Sequence, residues 1–194
     1  MPLLEADDPL PGRPRRILVA GTSGSGKTTL AGRVADVLAL PHIEIDALYH
    51  GPAWTPRTTF ETDVRRFSAQ PHWVTEWQYD AVRGVLVERA DLIVWLDLSR
   101  ATVMRQVVLR TLRRRLRREA LWNDNIEPPL RTFFTDEEHI VRWAWTTHHK
   151  TAPRIAALRA QRPELVIVRL GSWTAVEGWL QGPLRLAAVG KPQP

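Results

Sequence analysis

The chain has 194 residues, of which 44% are hydrophobic, and it contains no cysteine. This composition suits one α/β domain with a mobile insert, and it excludes disulfides, thiolate metal sites and cysteine nucleophiles, so that a metal would need oxygen or imidazole ligands. The formal net charge is +6, from 27 basic and 21 acidic residues, and a positive balance favours a polyanionic partner, either a nucleotide or a nucleic acid.

The two ends of the chain differ from its middle. Residues 1–14 are rich in proline and lack the apolar stretch of a signal peptide, and residues 183–194 end in GKPQP. We therefore expect two flexible tails around one domain at residues 15–182. No segment approaches the roughly 18 consecutive apolar residues of a membrane span, so we expect a cytoplasmic protein without a membrane partner.

Five short apolar runs alternate with longer amphipathic stretches, and each run predicts a strand. The runs are residues 17–20, 42–46, 73–77, 91–98 and 164–170. Strands that alternate with helices in this way are typical of a parallel sheet with helices on both faces. The sequence therefore predicts a three-layer α/β fold.

The segment GTSGSGKTT lies directly after the first predicted strand and ahead of a helical stretch. It satisfies the phosphate-binding pattern GxxxxGK[ST] and predicts nucleotide contacts from Gly21, Ser23, Gly24, Ser25, Gly26, Lys27, Thr28 and Thr29. The glycines allow a tight turn in which backbone N–H groups face phosphate oxygens at the positive end of the helix. Lys27 would reach the β and γ phosphates, and Thr28 would bind Mg²⁺.

Phosphate-binding loops occur in kinases, GTPases, motors and ATPases. GTPases read guanine through an NKxD segment, which is absent from this sequence, and 194 residues leave little room for the added elements of helicases or large ATPases. The class that remains is the small-molecule and nucleotide kinases, which use ATP and Mg²⁺.

Longer segments point to one group of such proteins. They are ILVAGTSGSGKTTLAGRVADVLALPHIEIDALYHGPAW, WVTEWQYDAVR, ADLIVWLDLSR, LRRRLRREALWNDN and WAWTTHHK. In these segments, over residues 16–181, the chain resembles the adenylate kinase-like P-loop proteins known as DNA topology modulation proteins, which are related to the shikimate and gluconate kinases. The resemblance implies a five-stranded parallel sheet in the order 2-3-1-4-5, with helices on both faces and a helical lid at about residues 110–135.

The resemblance also implies a carboxylate for Mg²⁺ at the end of the third predicted strand. Relatives usually carry aspartate at this place, where this chain has Glu76. Asp97, which ends the segment LIVWLD, is the competing candidate and would lie on the far side of the P-loop strand.

Asp46 ends the second predicted strand, and carboxylates at strand ends face the ligand crevice of open α/β sheets. In the shikimate and gluconate kinases an aspartate at this place contacts the acceptor hydroxyl, so the resemblance implies acceptor binding or general-base catalysis by Asp46. A turn or helix cap is the alternative role. Trp54 and Tyr49 are candidate walls of the acceptor pocket, with core packing as the alternative, and Arg83 is a candidate contact for an acceptor phosphate.

Eight arginines and no acidic residue lie between residues 100 and 118. The segment resembles a lid that closes over ATP and neutralises the transferring phosphoryl group. Arg110 and Arg114 share one helical face because they are four residues apart, and we expect this face to contact ATP. A solvated helix face is the alternative for part of this block.

Two further sites attract attention near the end of the chain. His148 and His149 are adjacent, and adjacent helical residues point about 100° apart, which does not suit chelation of one metal ion. Ser172 follows the fifth predicted strand, where relatives place the loop that contacts adenine; its alternative role is to begin the last helix.

The leading prediction is transfer of the γ-phosphoryl group from Mg·ATP to a nucleoside monophosphate or a hydroxylated metabolite. The catalytic side chains would be Lys27, Asp46, Arg110 and Arg114. Two alternatives remain open: a nucleic-acid-associated ATPase whose arginines bind phosphates, and a non-catalytic nucleotide-binding protein. We expect a monomer or homodimer whose partners are ATP and a small acceptor.

Overall fold

One parallel sheet forms the centre of the structure, a computed structural model that describes residues 3–117 and 145–190. Its strands are β1 (Leu3–Leu4), β2 (Arg16–Gly21), β3 (Trp73–Glu76), β4 (Leu92–Leu96) and β5 (Val166–Leu170). They are ordered β1-β5-β4-β2-β3 across the sheet, and every neighbouring pair is parallel. Four of the five apolar runs therefore form strands, as predicted.

Helices connect these strands. They are α1 (Lys27–Leu38), α2 (Ile45–Tyr49), α3 (Phe60–Ser68), α4 (Asp80–Arg89), α5 (Arg100–Arg117), α6 (Thr151–Gln161), α7 (Trp173–Trp179) and α8 (Arg185–Val189). Short 3₁₀ turns lie at Pro52–Trp54 and His148–Lys150, and a π-helical turn lies at Leu180–Leu184. Within the described ranges, no helix has both the length and the apolar character needed to cross a bilayer.

Alternation along β2 divides the core into two layers. Ile17 and Val19 pack in one cluster with buried residues of α1, α5 and α7. Leu18 and Ala20 pack in the other cluster with buried residues of α2, α3, α4 and α6. Because successive side chains of a strand point to opposite faces, a strand that is buried on both faces reads as a continuous apolar run. The predicted α/β class with helices on both faces is confirmed.

The predicted strand order is wrong at both edges of the sheet. The segment at residues 42–46 contributes only a one-residue bridge between His42 and Val74, and the chain then enters α2 at Ile45. The Ile45 N–H donates to Glu76 Oε2 at 3.0 Å, so a distant side chain takes a hydrogen bond that a neighbouring strand would otherwise take. At the opposite edge β1 supplies the fifth strand, from a segment expected to be a flexible tail.

Parts of the predicted C-terminal tail and of the predicted lid are helical. Residues 185–189, which belong to the predicted C-terminal tail, form α8. Residues 110–117, which begin the predicted lid, continue α5. The rest of that lid, residues 118–135, lies outside the described residues.

Candidate active site

The segment between β2 and α1 forms a tight loop. Gly24 (φ 76°) and Gly26 (φ 93°) take left-handed backbone conformations that favour glycine. The Ser25 N–H donates to Thr22 O at 3.1 Å, which closes the turn, and α1 begins at Lys27. The phosphate-binding pattern therefore has its required context, between a strand and the positive end of a helix.

Two helices support this loop from outside. A Cβ on Gly24 would lie 2.0 Å from Val107 Cγ2 of α5, and a Cβ on Gly26 would lie 2.9 Å from the Trp173 ring of α7. With its amide oriented to satisfy both partners, Gln106 of α5 donates to Gly24 O at 3.1 Å and accepts from Trp173 Nε1. The arginine-rich helix is therefore packed directly against the loop.

Lys27 is the charged residue at the centre of the site. Its side chain is 9% exposed, and Nζ donates to Thr22 O at 3.1 Å. Burial lowers the pKa of Lys27. The negative charges of Asp46 and Glu76 raise this pKa, and the positive charges of Arg110 and Arg83 lower it. The charges of four side chains that the sequence predicts from separate segments thus act on the loop lysine.

Glu76 lies on the same face of β3 as Val74, toward α1. It is 1% exposed; its Oε1 lies 3.2 Å from His42 Nε2, and its Oε2 accepts from the Ile45 N–H. Burial raises the pKa of Glu76, but the hydrogen bonds from His42 and Ile45 outweigh burial and the pKa falls below its usual value. Glu76 is therefore a buried anion. Its hydrogen bond from the Ile45 N–H also holds the first residue of α2, a structural role that is separate from the predicted contact with Mg²⁺.

Asp97, the competing carboxylate, has a different partner. Its Oδ2 accepts from Arg169 Nε at 2.7 Å, and Arg169 lies on β5 at the side of β4 away from β2. Asp97 raises the pKa of Arg169 through this hydrogen bond. Its charge is therefore paired with a neighbouring strand, whereas the charge of Glu76 acts on Lys27.

Asp46 lies in the first turn of α2 and not at a strand end as predicted. Its Oδ1 accepts two hydrogen bonds of 2.6 Å, from Gln78 Nε2 and from the Tyr79 hydroxyl. The Tyr79 oxygen also lies 3.3 Å from His50 Nε2. No described residue donates to Asp46 Oδ2, so this oxygen is left to accept a hydrogen bond from a ligand.

A pocket of about 580 Å³ lies beside these residues. Its aromatic walls are Tyr49, Phe60 and Tyr79, and its charged lining residues are Arg57, Glu61 and Asp80. The rings of Tyr49 and Tyr79 stack, with centroids 4.1 Å apart. Trp54 is not among the lining residues; its ring contacts the His50 imidazole edge-on at 5.1 Å.

Arg83 lines a second, smaller pocket of about 270 Å³ between α4 and α6. Its side chain is 20% exposed and pairs with Asp80, which is also 3.5 Å from Arg154 NH2. Burial, and then the charge of Arg154, lower the pKa of Arg83 to about 10. The guanidinium remains charged at neutral pH, and two arginines share one exposed carboxylate.

The other predicted site residues have varied surroundings. Arg110 is half-buried on α5, whereas the side chain of Arg114 lies outside the described residues. His148 Nε2 lies 3.0 Å from Leu98 O, a structural contact. The Ser172 hydroxyl accepts from the Ala175 N–H at 3.1 Å and caps α7, the alternative role considered for this residue.

The loop has features that suit a polyphosphate. Ser25 Oγ is fully buried and has no hydrogen-bond partner among the described residues. Ser23 and Thr28 are half-buried, and Thr29 is exposed. In the described part of the chain, acidic and imidazole side chains form no group of three that would hold a metal alone.

Sequence reasoning missed several residues of the site. Gln78 and Tyr79 follow β3 at its carboxyl end, where ligand crevices of α/β sheets lie, and this position is the signal that identifies them. His50, Gln106 and Trp173 carry no such signal, because their contacts come from packing between helices and loops.

The chain matches no protein-family model and no curated protein sequence. Its structure is similar to a gluconokinase from Sinorhizobium meliloti 1021, with a TM-score of 0.53, 22% identity, and coverage of 91% of this chain and 95% of that chain. A shikimate kinase from Bacteroides thetaiotaomicron has a TM-score of 0.47 and 14% identity over 87% and 95% of the two chains. A sugar kinase from Janibacter sp. HTCC2649 has a TM-score of 0.46 and 20% identity over 98% and 99%. The similarity to the gluconokinase shows a shared overall fold.

Proposed function

We propose that this protein transfers the γ-phosphoryl group of Mg·ATP to a small acceptor, a nucleoside monophosphate or a hydroxylated metabolite. The observation that carries the proposal is a glycine-rich loop between a strand and a helix, with a buried lysine at its end; the charges of two carboxylates and two arginines act on the pKa of this lysine. The gluconokinase fold supports the hydroxylated acceptor, and the resemblance to adenylate kinase-like proteins supports the nucleotide.

Each part of the site has a role in this reaction. The loop amides and Lys27 would hold the phosphates, and Thr28 and Glu76 are the residues that would hold the metal. Mg·ATP supplies the transferable phosphoryl group, whose charge the metal helps to neutralise. Arg110 and Arg114 of α5 add positive charge where negative charge spreads in the transition state.

Toward a hydroxylated acceptor, Asp46 acts as the general base. Its Oδ2 takes the proton of the acceptor hydroxyl, and the acceptor oxygen forms the new bond to phosphorus as the bond to the ADP oxygen breaks and ADP keeps the electron pair. A general base must lie within hydrogen-bond reach of this proton, and Oδ2 is the oxygen to which no described side chain donates. Arg83 would bind an anionic group of the acceptor, because its charge is only partly balanced by Asp80.

The test is acceptor-dependent release of ADP. Purified protein is supplied with Mg·ATP and a panel of acceptors that includes AMP, CMP, UMP, gluconate and shikimate, and at least one is expected to raise turnover above the rate with ATP alone. Lys27→Ala should weaken ATP binding about tenfold or more, since hydrogen bonds to charged groups contribute about 1.5–3 kcal/mol. Lys150→Ala, at an exposed lysine, is the matched control.

The two alternative functions give different results in the same experiments. A nucleotide sensor binds ATP with no acceptor raising turnover. A nucleic-acid-associated ATPase binds DNA with an affinity that falls steeply with salt, by a log–log slope of about 0.9 per phosphate contact. If titration of ATP into the wild-type protein produces no heat of binding, and the Lys27→Ala variant behaves identically, the nucleotide site itself is refuted.

A further inference from the structure

Two neighbouring side chains hold Asp46 through one of its oxygens. Gln78 Nε2 and the Tyr79 hydroxyl both donate to Oδ1 at 2.6 Å, and no described residue donates to Oδ2. A carboxylate that is fixed in this way presents its second oxygen in one direction. The geometry is that of a prepared base, because the oxygen without a donor keeps both lone pairs for an incoming proton.

The backbone of Tyr79 has an unfavourable conformation. Its φ of 62° and ψ of 109° are unusual for a residue with a bulky side chain, and glycine would adopt them more readily. Side-chain contacts hold it there: the ring stacks on Tyr49 at 4.1 Å and packs edge-on against Phe60 at 5.2 Å. Conformations of this kind persist at functional sites when the surrounding structure determines them.

A third residue fixes the direction of the hydrogen bonds. The Tyr79 hydroxyl has one proton, and an ionised carboxylate only accepts, so Tyr79 donates to Asp46 and its oxygen accepts from His50 Nε2. Burial lowers the pKa of His50. Burial, followed by the charge of Asp46, raises the pKa of Tyr79 well above its usual value. At neutral pH the chain of donors therefore runs from His50 to Tyr79 to Asp46.

We propose that Tyr79, backed by His50, is a positioning residue that orients Asp46 so that Oδ2 faces the acceptor hydroxyl. The inference rests on the proposed function, in which Asp46 is the general base. Tyr79 acts through Asp46 and does not itself exchange a proton with the acceptor. Gln78 shares the task by holding the same oxygen of Asp46.

The kinetic test compares Tyr79→Phe with Asp46→Asn. Tyr79→Phe removes only the hydroxyl that holds Asp46, whereas Asp46→Asn removes the base itself. ADP release is measured with gluconate, with shikimate and with water as acceptors, each of which attacks through a hydroxyl group. Because general bases contribute about 10²- to 10⁴-fold, Tyr79→Phe should lower kcat by about 10- to 100-fold and change the acceptor KM by less than about twofold.

The opposite kinetic result would overturn the proposal. If Tyr79→Phe leaves kcat unchanged while Asp46→Asn lowers it, the hydroxyl does not position Asp46. If Tyr79→Phe raises the acceptor KM and leaves kcat intact, the hydroxyl binds substrate and does not position Asp46. Replacement of His50 by Gln, which keeps an N–H donor, should preserve most of the activity that His50→Ala loses.

A spectroscopic test needs no acceptor. The chain has only two tyrosines, so Tyr49→Phe leaves Tyr79 as the single phenol, and its ionisation is followed by absorbance at 295 nm. The groups that raise its pKa are Asp46, Tyr49 and Glu76. In the Tyr49→Phe background the phenol should stay protonated well above the pH of about 10 at which a free phenol ionises, and Asp46→Asn should let it ionise at lower pH.

The two tests separate the possible failures. If the phenol ionises near its usual value of about pH 10 with and without Asp46→Asn, the contact is absent and the inference is refuted whatever the kinase activity. If the phenol is held but no acceptor raises turnover, the proposed function is refuted and Tyr79 has no reaction to position.

Discussion

Substitution of Gly24 by alanine tests whether α5 is built onto the phosphate loop. The new Cβ would lie 2.0 Å from Val107 Cγ2, whereas carbon atoms in good contact are about 3.5–4.0 Å apart. Val107 is fully buried, so its methyl group has no solvent-filled space to move into. Either the loop or α5 must therefore shift.

Two separate costs make up the expected effect of Gly24→Ala. Gly24 has a φ of 76°, and a residue with a Cβ in a left-handed conformation costs about 1–2 kcal/mol. Overpacking against Val107 adds about 1–3 kcal/mol. The free energy of unfolding should fall by about 2–5 kcal/mol, which corresponds to roughly 4–20 °C in Tm for a chain of this size.

A double-mutant cycle separates the two costs. Unfolding in urea is measured for the wild type, Gly24→Ala, Val107→Ala and the double variant. Because Val107→Ala removes the methyl group that the new Cβ would strike, the double variant should be more stable than additivity predicts by about 1–3 kcal/mol. Strictly additive effects would show that Gly24 and Val107 do not touch, and the docking of α5 on the loop would be wrong.

Two further variants test single contacts. Ser172→Ala removes the cap of α7. Thermal unfolding should show a loss of about 0.5–2 kcal/mol in the free energy of unfolding, and the KM for ATP should be unchanged. A raised KM for ATP would instead indicate that Ser172 contacts adenine. Glu76→Gln should lower stability at neutral pH, measured in urea. The pKa of Glu76 lies below its usual 4.5, so its contribution is present above that pH and is lost as the pH falls through the lower folded value. The variant should therefore lose less stability in acid than the wild type, and equal losses would contradict this.

The sequence predicts the interior of the sheet better than its edges. β2, β4 and β5 are apolar runs because both faces of each strand are buried, and such runs are visible without any knowledge of neighbours. The segment at residues 42–46 has the same alternation as a strand, but the Glu76 carboxylate, 31 residues away in the chain, takes the N–H of Ile45. Local pattern contains no information about such a contact.

Charge and chemistry in the site were predictable to different degrees. The pattern GxxxxGK[ST] identifies Lys27 because its glycines, lysine and hydroxyl residue all serve one task, the binding of phosphate. The surroundings of Asp46 were not predictable. They depend on Tyr79, and the segment EWQY gives no indication that this tyrosine adopts a positive φ. Arg110 was predicted from helical spacing, and its influence on Lys27 comes from the docking of α5, which depends on packing at Gly24.

The short pieces at the two edges of the sheet affect how copies of this chain can associate. Exposed strand edges carry unpaired backbone groups that recruit strands from other molecules, and very short edge strands are one way in which proteins prevent this. Here β1 spans two residues beside β5, and the bridge at His42 and the hydrogen bond from Ile43 N–H to Val74 O protect β3. Two such chains would not readily fuse their sheets into one continuous sheet through these edges.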